Sequence, residues 1–268
     1  MSSKDAAKEI NYDIGSAGSI TLTLQSIILP CLFQDRKFRI TLKGGTDVSW
    51  STPIDYFKEI YLPCLEDYGK VDCNVQKKGF FPKGGGAASI TIEGKNNSKP
   101  LVREKLGKLI TIKCIVHTSK NFWKEESPEK TMEIIKMSLS GLGVPISTNM
   151  QSSTTDDDGG SILFYAMFEN PEKEDSFIRT GYSEIFNDER EVSKIIDIYT
   201  NKLKKLVRDN CPTDEFLTDQ LIPLLGVVGG SILTDNITEH TLSNIYVTEK
   251  FLDKKFEVDL VSGRIVCR

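Results

Sequence analysis

Leu24-Gln25-Ser26-Ile27-Ile28-Leu29-Pro30 is echoed much later in the chain by Asp219-Gln220-Leu221-Ile222-Pro223. Each stretch lies in an apolar segment with helical character, and each is followed by a strand. Outward from the first stretch, residues 10–14 alternate as a short strand, Gly15-Ser16-Ala17-Gly18 turns, and 19–33 form the helix. Lys37 to Lys43 then alternates with Phe38, Ile40 and Leu42 on one face, which predicts a strand. Pro53 suits the first turn of an amphipathic helix over 53–67, with Ile54, Phe57, Tyr61 and Leu65 on its inner side. Strands at 71–77 and 88–93 complete the order β-α-β-α-β-β.

The C-terminal part repeats that order: helix 214–228, strand 231–234, helix 241–252, and strands 256–261 and 263–267. A repeated unit implies two similar layers, each a sheet with two helices on one face. Between them lies a region of different character, with a strand at 109–117, a helix at 127–142, a polar loop at 152–160 and an apolar strand at 161–168. A long helix, 189–208, leads back to the second unit. The expected fold class is α/β (α+β), two β-α-β-α-β-β units with a smaller α/β inserted domain. The expected boundaries are 1–104, 105–180 and 181–268.

With 268 residues, 39% of them apolar, the chain can bury a real core. A net charge of −4 advertises no global attraction to nucleic acid, so any RNA contact must be local. Cys31, Cys64, Cys73, Cys114, Cys211 and Cys267 form no CxxC pair, which argues against a disulfide framework or a zinc site. The opening Met-Ser-Ser-Lys-Asp-Ala-Ala-Lys-Glu has no apolar core, and no apolar run is long enough for a bilayer. A cytoplasmic protein without a membrane partner is expected.

Only two histidines are available as base or nucleophile. His117 ends a strand with no carboxylate or cysteine cluster near it in sequence, which suits a structural or solvent-facing residue. His240 sits at a helix start, after Thr238 and Glu239. Position alone favours an incidental helix-start residue, although free N–H groups and the positive dipole end there suit a phosphate. Gly44-Gly45-Thr46-Asp47 ends a strand with two glycines and a carboxylate, and Trp50-Ser51-Thr52-Pro53 follows. Gly84-Gly85-Gly86 behind Lys83 could cradle an anion or simply connect a hairpin. Asp219 and Gln220 need partners on the otherwise apolar helix that begins Glu215-Phe216-Leu217-Thr218. Asp156-Asp157-Asp158-Gly159-Gly160 fails as a calcium loop because Met167 stands where a Glu is needed, leaving a solvated loop. Walker and Rossmann glycine spacings are absent in useful contexts.

Together, Tyr12-Asp13-Ile14-Gly15-Ser16-Ala17-Gly18-Ser19-Ile20, Gly44-Gly45-Thr46-Asp47 through Tyr56, Gly79-Phe80-Phe81-Pro82-Lys83-Gly84-Gly85-Gly86, and Asp219-Gln220-Leu221 with His240-Thr241-Leu242-Ser243-Asn244-Ile245 resemble the RNA 3′-terminal phosphate cyclase family. These ordered blocks cover both repeated units. The inserted region resembles the family's small domain by position rather than by sequence. The resemblance implies an ATP- and Mg²⁺-dependent reaction in which His240 carries AMP and passes it to an RNA 3′-terminal phosphate. The neighbouring 2′-hydroxyl then closes a 2′,3′-cyclic end. It also implies that Gln25 and the segment Glu215, Phe216, Leu217, Thr218 and Asp219, with Gln220 beside it, contact the nucleotide. Pro53 and Phe216 would sandwich the adenine, and Asp219 would orient the imidazole.

The family normally begins with a further α/β unit carrying a Gly-rich segment and an Arg-x-x-x-Pro-Gly-Leu-like stretch, which supply phosphate-binding arginines and a carboxylate. This chain reaches Asp13-Ile14-Gly15-Ser16 almost at once. A fragment or a shortened homologue is therefore expected, with weakened stabilisation of phosphate charge. A non-enzymatic RNA-processing homologue, similar to the superfamily's ribosome-biogenesis branch, is one alternative. A small-molecule transferase resembling the enolpyruvyl transferases in architecture is another, although the blocks match the cyclases better.

Overall fold

The computed structural model describes residues 7–268. Strand β1 (Lys8–Asp13) leads through the Gly15–Gly18 turn into α1 (Ile20–Leu32), then β2 (Lys37–Gly44). A short α2 (Ile54–Tyr56) continues through a π turn (Phe57–Tyr61) and a 3-10 turn (Leu62–Leu65), and β3 (Gly69–Lys77) and β4 (Gly86–Gly94) follow. The sheet runs β1-β2-β4-β3, with β1 parallel to β2 and the other pairs antiparallel. Ser19 starts α1 by accepting from the Leu22 N–H, satisfying one of the donors that a helix start leaves free. Phe38, Ile40 and Leu42 are buried as their alternation predicts.

Strand β5 (Leu101–Arg103) comes next, before the inserted region. That region comprises β6 (Leu109–Ser119), α3 (Pro128–Leu139), β7 (Ile146–Ser153), β8 (Gly160–Glu169), β9 (Phe177–Phe186) and α4 (Glu189–Arg208), with sheet order β7-β6-β8-β9. The chain closes with α5 (Glu215–Val228), β10 (Gly230–Leu233), α6 (Glu239–Phe251), β11 (Phe256–Asp259) and β12 (Arg264–Cys267).

The second repeat is completed by a strand from before the insertion. β5 pairs in parallel with β10, giving the order β5-β10-β12-β11. That is the pattern of β1-β2-β4-β3, parallel pair included. The insertion is therefore spliced between the first strand and the first helix of the second unit. The expected boundary near residue 104 falls just after that strand, and the one near 180 falls inside β9. Helix α4 buries Val192, Ile195, Ile196, Tyr199, Leu203 and Leu206 in the core of the inserted sheet, so it belongs to that layer instead of merely leading back.

One core joins the two repeats, with α1, the π turn after α2, and α5 contributing Leu24, Ile28, Phe57, Ile60, Leu221 and Leu225 among others. A second core lies between the inserted sheet and its helices. β8 serves both. Ile162, Phe164 and Ala166 face the second core, whereas Leu163, Tyr165 and Met167 face the first. A strand covered on both sides reads as a continuous apolar run, as Ile162 to Phe168 does. Polar contacts lock the same junction. Arg179 pairs with Glu59 at 2.8 Å, and the Tyr165 hydroxyl donates to Glu59 at 3.0 Å.

The Asp-rich loop is solvated as expected, with Asp156 and Asp158 exposed, yet its three carboxylates are tied down. Asp156 pairs with Lys77 at 2.7 Å, Asp157 accepts the Lys83 N–H at 2.7 Å, and Asp158 accepts from Ser119 at 2.8 Å. The Gly84-Gly85-Gly86 turn connects β3 to β4, with the Gly84 N–H donating to the Phe80 carbonyl at 2.8 Å and the Asp157 carboxylate held on the neighbouring Lys83 N–H. His117 is buried with Nε2 3.0 Å from the Ser153 hydroxyl oxygen, so of its two expected readings the structural one holds.

Candidate active site

Four helix starts converge on one cavity of about 670 Å³. Its wall is built from Leu22 and Gln25 of α1, residues 49–53 before α2, Glu215, Phe216, Asp219 and Gln220 of α5, and Thr238, His240 and Asn244 at α6. Strand β9 adds Ser183, Glu184 and Ile185. The duplication explains the convergence, because equivalent helices begin at the same end of each sheet. It also explains the glutamines: Gln25 follows Ile20, the first residue of α1, by the same interval as Gln220 follows Glu215 in α5.

Each helix start is fixed locally. Asp214 caps α5, accepting from the Phe216 N–H at 3.1 Å and the Leu217 N–H at 3.0 Å. It also accepts the Tyr56 hydroxyl at 2.6 Å and the Gly181 N–H at 3.2 Å, tying α2, β9 and α5 together. Burial pushes its carboxyl up to about 6, against the pull of the Tyr56 hydroxyl and the Leu217 and Gly181 N–H groups. Tyr56 also meets the Phe216 ring edge-on, with centroids 6.2 Å apart, which fixes that aromatic face in the cavity wall.

Thr238 caps α6 through a capping box. Its hydroxyl oxygen accepts the Thr241 N–H at 3.0 Å, and the Thr241 hydroxyl oxygen accepts the Thr238 N–H at 3.2 Å. Asp219 then accepts both threonine hydroxyls, that of Thr238 at 2.9 Å. The Asn244 amide donates to the Asp219 carbonyl at 3.0 Å. Burial raises the Asp219 carboxyl above its ordinary range, opposed by the Thr241 and Thr238 hydroxyls and by the nearby His240. Asp219 therefore bears on the position of His240 through the helix cap and through space, its carboxylate being bonded to the two threonine hydroxyls. His240 itself is exposed to the cavity.

Glu215 is half-buried. Burial alone would raise it, but the Asn236 amide at 2.8 Å and Lys202 at 2.9 Å hold it below the usual range. The Gln220 amide donates to Thr52 at 3.4 Å, and its Oε1 is buried without a partner. An orphaned acceptor on a cavity wall is a ready contact for a ligand N–H.

Of the residues singled out in the sequence, Gln25, Pro53, Glu215, Phe216, Asp219, Gln220 and His240 line this cavity. Leu217 and Thr218 do not. Both are fully buried on the opposite side of α5, and the Thr218 hydroxyl donates to the Asp214 carbonyl at 2.9 Å. Helical geometry requires this, since neighbouring residues on one helix cannot all face one cavity. Ser183, Glu184 and Ile185 escaped the sequence reading because β9 was not expected. The alternation of Ile178, Thr180 and Tyr182 was the available signal.

Fold and cavity together define a duplicated α/β protein with a nucleotide-sized cleft and a histidine at a helix start. A profile of the RNA 3′-terminal phosphate cyclase family matches residues 2–258. The protein of that name from Pyrococcus abyssi is 30% identical over 259 residues, covering 96% of this chain and 73% of that protein. Its counterpart from Methanococcoides burtonii is 33% identical over 253 residues, covering 92% and 70%. The chain belongs to the RNA 3′-terminal phosphate cyclase family.

Proposed function

We propose that this chain converts an RNA 3′-terminal phosphate to a 2′,3′-cyclic phosphodiester at the expense of ATP, with His240 as the AMP acceptor. The observation that carries the reading is the placement of His240 at the start of α6, on a cavity that also presents Phe216 and Pro53. The family membership and the names of the similar proteins support the overall reaction.

The cavity suits the parts of ATP. The Phe216 ring and Pro53 offer apolar faces for adenine, and Gln25 and Gln220 offer amides for its polar edge or the ribose. The α6 cap serves the N–H groups of Thr241 and Leu242, leaving those of Glu239 and His240 directed out of the helix start, towards an anion. Mg²⁺ would be held by the phosphates and would offset their charge. Among the described residues no group of three or more His, Cys, Asp or Glu is arranged to hold a metal ion.

In this reading an imidazole nitrogen of His240 bonds to the α-phosphorus as its bond to the bridging oxygen breaks, releasing pyrophosphate. An RNA 3′-phosphate oxygen then displaces the histidine, giving an RNA-(3′)pp(5′)A anhydride. The 2′-hydroxyl attacks the RNA phosphorus, loses its proton, and AMP leaves. The last step is intramolecular and gains from proximity. Among the described residues no helix is long and apolar enough to cross a membrane.

A second reading, a homologue without turnover, is favoured by one feature. The cavity wall carries Glu184, Glu215 and Asp219 but no lysine or arginine among the described residues. Incubation with ATP labelled at the α-phosphate and Mg²⁺, followed by a denaturing gel, separates the two. Label on the wild type and none on His240→Ala is the expected result. An unlabelled wild type that still binds RNA would establish the second reading.

A further inference from the structure

Trp50 is 98% exposed, whereas aromatic side chains of this size are ordinarily at least half buried. Its backbone has φ 66°, a left-handed conformation that is strained for a bulky residue. The surrounding chain enforces that conformation. Val48 is buried, the Ser51 hydroxyl donates to the Val48 carbonyl at 2.9 Å, and the Thr21 hydroxyl donates to the Thr52 carbonyl at 2.9 Å. Ile54 N–H donates to the Thr46 carbonyl at 3.0 Å, closing the loop from its other end. A short segment is thus tied down on both sides while its largest side chain is held out at the rim of the His240 cavity. Packing gains nothing from this arrangement. Strain of this kind gathers where a side chain must be presented.

We propose that Trp50 is a stacking platform for a nucleobase at the 3′ end of the RNA substrate, holding the terminal phosphate near His240. This rests on the reading above, and it adds a positioning residue that the nucleotide contacts do not include. Stacking on an exposed aromatic face recognises single strands without demanding a particular sequence, because every base has a π-face. The location fits. Trp50 lies just before Pro53, so a base on the rim and an adenine at Pro53 and Phe216 would occupy neighbouring positions around one reacting centre.

The chain has two tryptophans, and Trp123 is half-buried against Phe122 in the inserted layer. In a Trp123→Phe background, emission therefore reports Trp50 alone. A short oligoribonucleotide with a 3′-phosphate is expected to quench it saturably, while ATP alone leaves it nearly unchanged. Trp50→Ala should weaken RNA binding about tenfold, the loss typical of one base–aromatic stack, and Trp50→Phe should stay within about threefold of the parent. Trp50→Gly provides the structural control. Glycine accepts the left-handed backbone, so its melting temperature should rise while its RNA affinity falls. RNA binding that leaves the emission unchanged, no RNA binding at all, full quenching by ATP alone, or Trp50→Gly binding RNA as the parent does would each overturn the proposal. These are binding readouts, so they stand even if His240 takes no label.

Discussion

The hydroxyl of Thr238 donates to the carboxylate of Asp219 at 2.9 Å, joining the first turn of one helix to the second turn of its neighbour within the second repeat. The Thr241 hydroxyl donates to the same oxygen, so one carboxylate holds both ends of the capping box that spans His240. Asp219→Ala frees both hydroxyls and should destabilise the protein by about 1–2 kcal/mol in denaturant titration. AMP labelling of His240 should fall about tenfold as the ring's position loosens. Asp219→Asn keeps an acceptor oxygen and should retain more of both. Labelling unchanged in Asp219→Ala would show that the cap does not position the histidine.

Asp214 predicts a pH dependence with a definite sign. Its folded carboxyl, pushed up to about 6 by burial, titrates above its unfolded value of 3.8. The contribution to stability is therefore full below the unfolded value and is lost as pH rises through about 6, amounting to about 3 kcal/mol. Asp214→Asn retains an acceptor for the Phe216 and Leu217 N–H groups and removes the titration. The stability of Asp214→Asn minus that of the wild type should rise between pH 4 and 7 and then level off. A flat difference across that range would contradict the buried-carboxylate account.

The splice in the second repeat depends on Gly230. Its φ of 118° strains any other residue, and a Cβ there would run into the Leu101 carbonyl. That carbonyl belongs to β5, the strand supplied from before the insertion. Gly230→Ala should therefore cost about 2–4 kcal/mol and lower the hydrogen-exchange protection of β5 and β10 first. Equal loss across the inserted sheet would mean that the repeat and the insertion unfold together.

Why β5 was invisible in the sequence follows from the same geometry. Leu101-Val102-Arg103 is too short to show periodicity, and its partner β10 lies beyond the whole insertion. By contrast, the first unit was legible because Phe38, Ile40 and Leu42 alternate over a length that pattern can resolve. β7 has the opposite problem, since Ile146 to Ser153 is a largely exposed, polar edge strand. For the cavity, the helix-start residues were readable from capping chemistry and family blocks. Which of them face inward was not, because that depends on helix rotation against the partner repeat. Hence Phe216 and Gln220 line the cavity while Leu217 and Thr218 do not.

The insertion docks beside a buried charge cluster that makes the last prediction. Lys78 lies 3.0 Å from Asp47 and 2.8 Å from Asp55, with side-chain exposures of 4%, 0% and 17% in that order. Burial would lower Lys78 and raise Asp55, but their mutual attraction reverses both, holding the amine above and the carboxyl below their usual ranges. His117 of β6 stands near the same charges, and burial together with Lys78 keeps its ring below the usual histidine range. Lys78→Met removes the only cation paired with Asp47 and Asp55 among the described contacts. It should cost about 3–5 kcal/mol, because two carboxylates are left buried without their counter-ion. Adding Asp47→Asn and Asp55→Asn should recover most of that loss in the same denaturant titration, since what destabilises is the unpaired charge and not the missing amine. A triple variant no more stable than Lys78→Met would assign the loss to packing around the lysine stem.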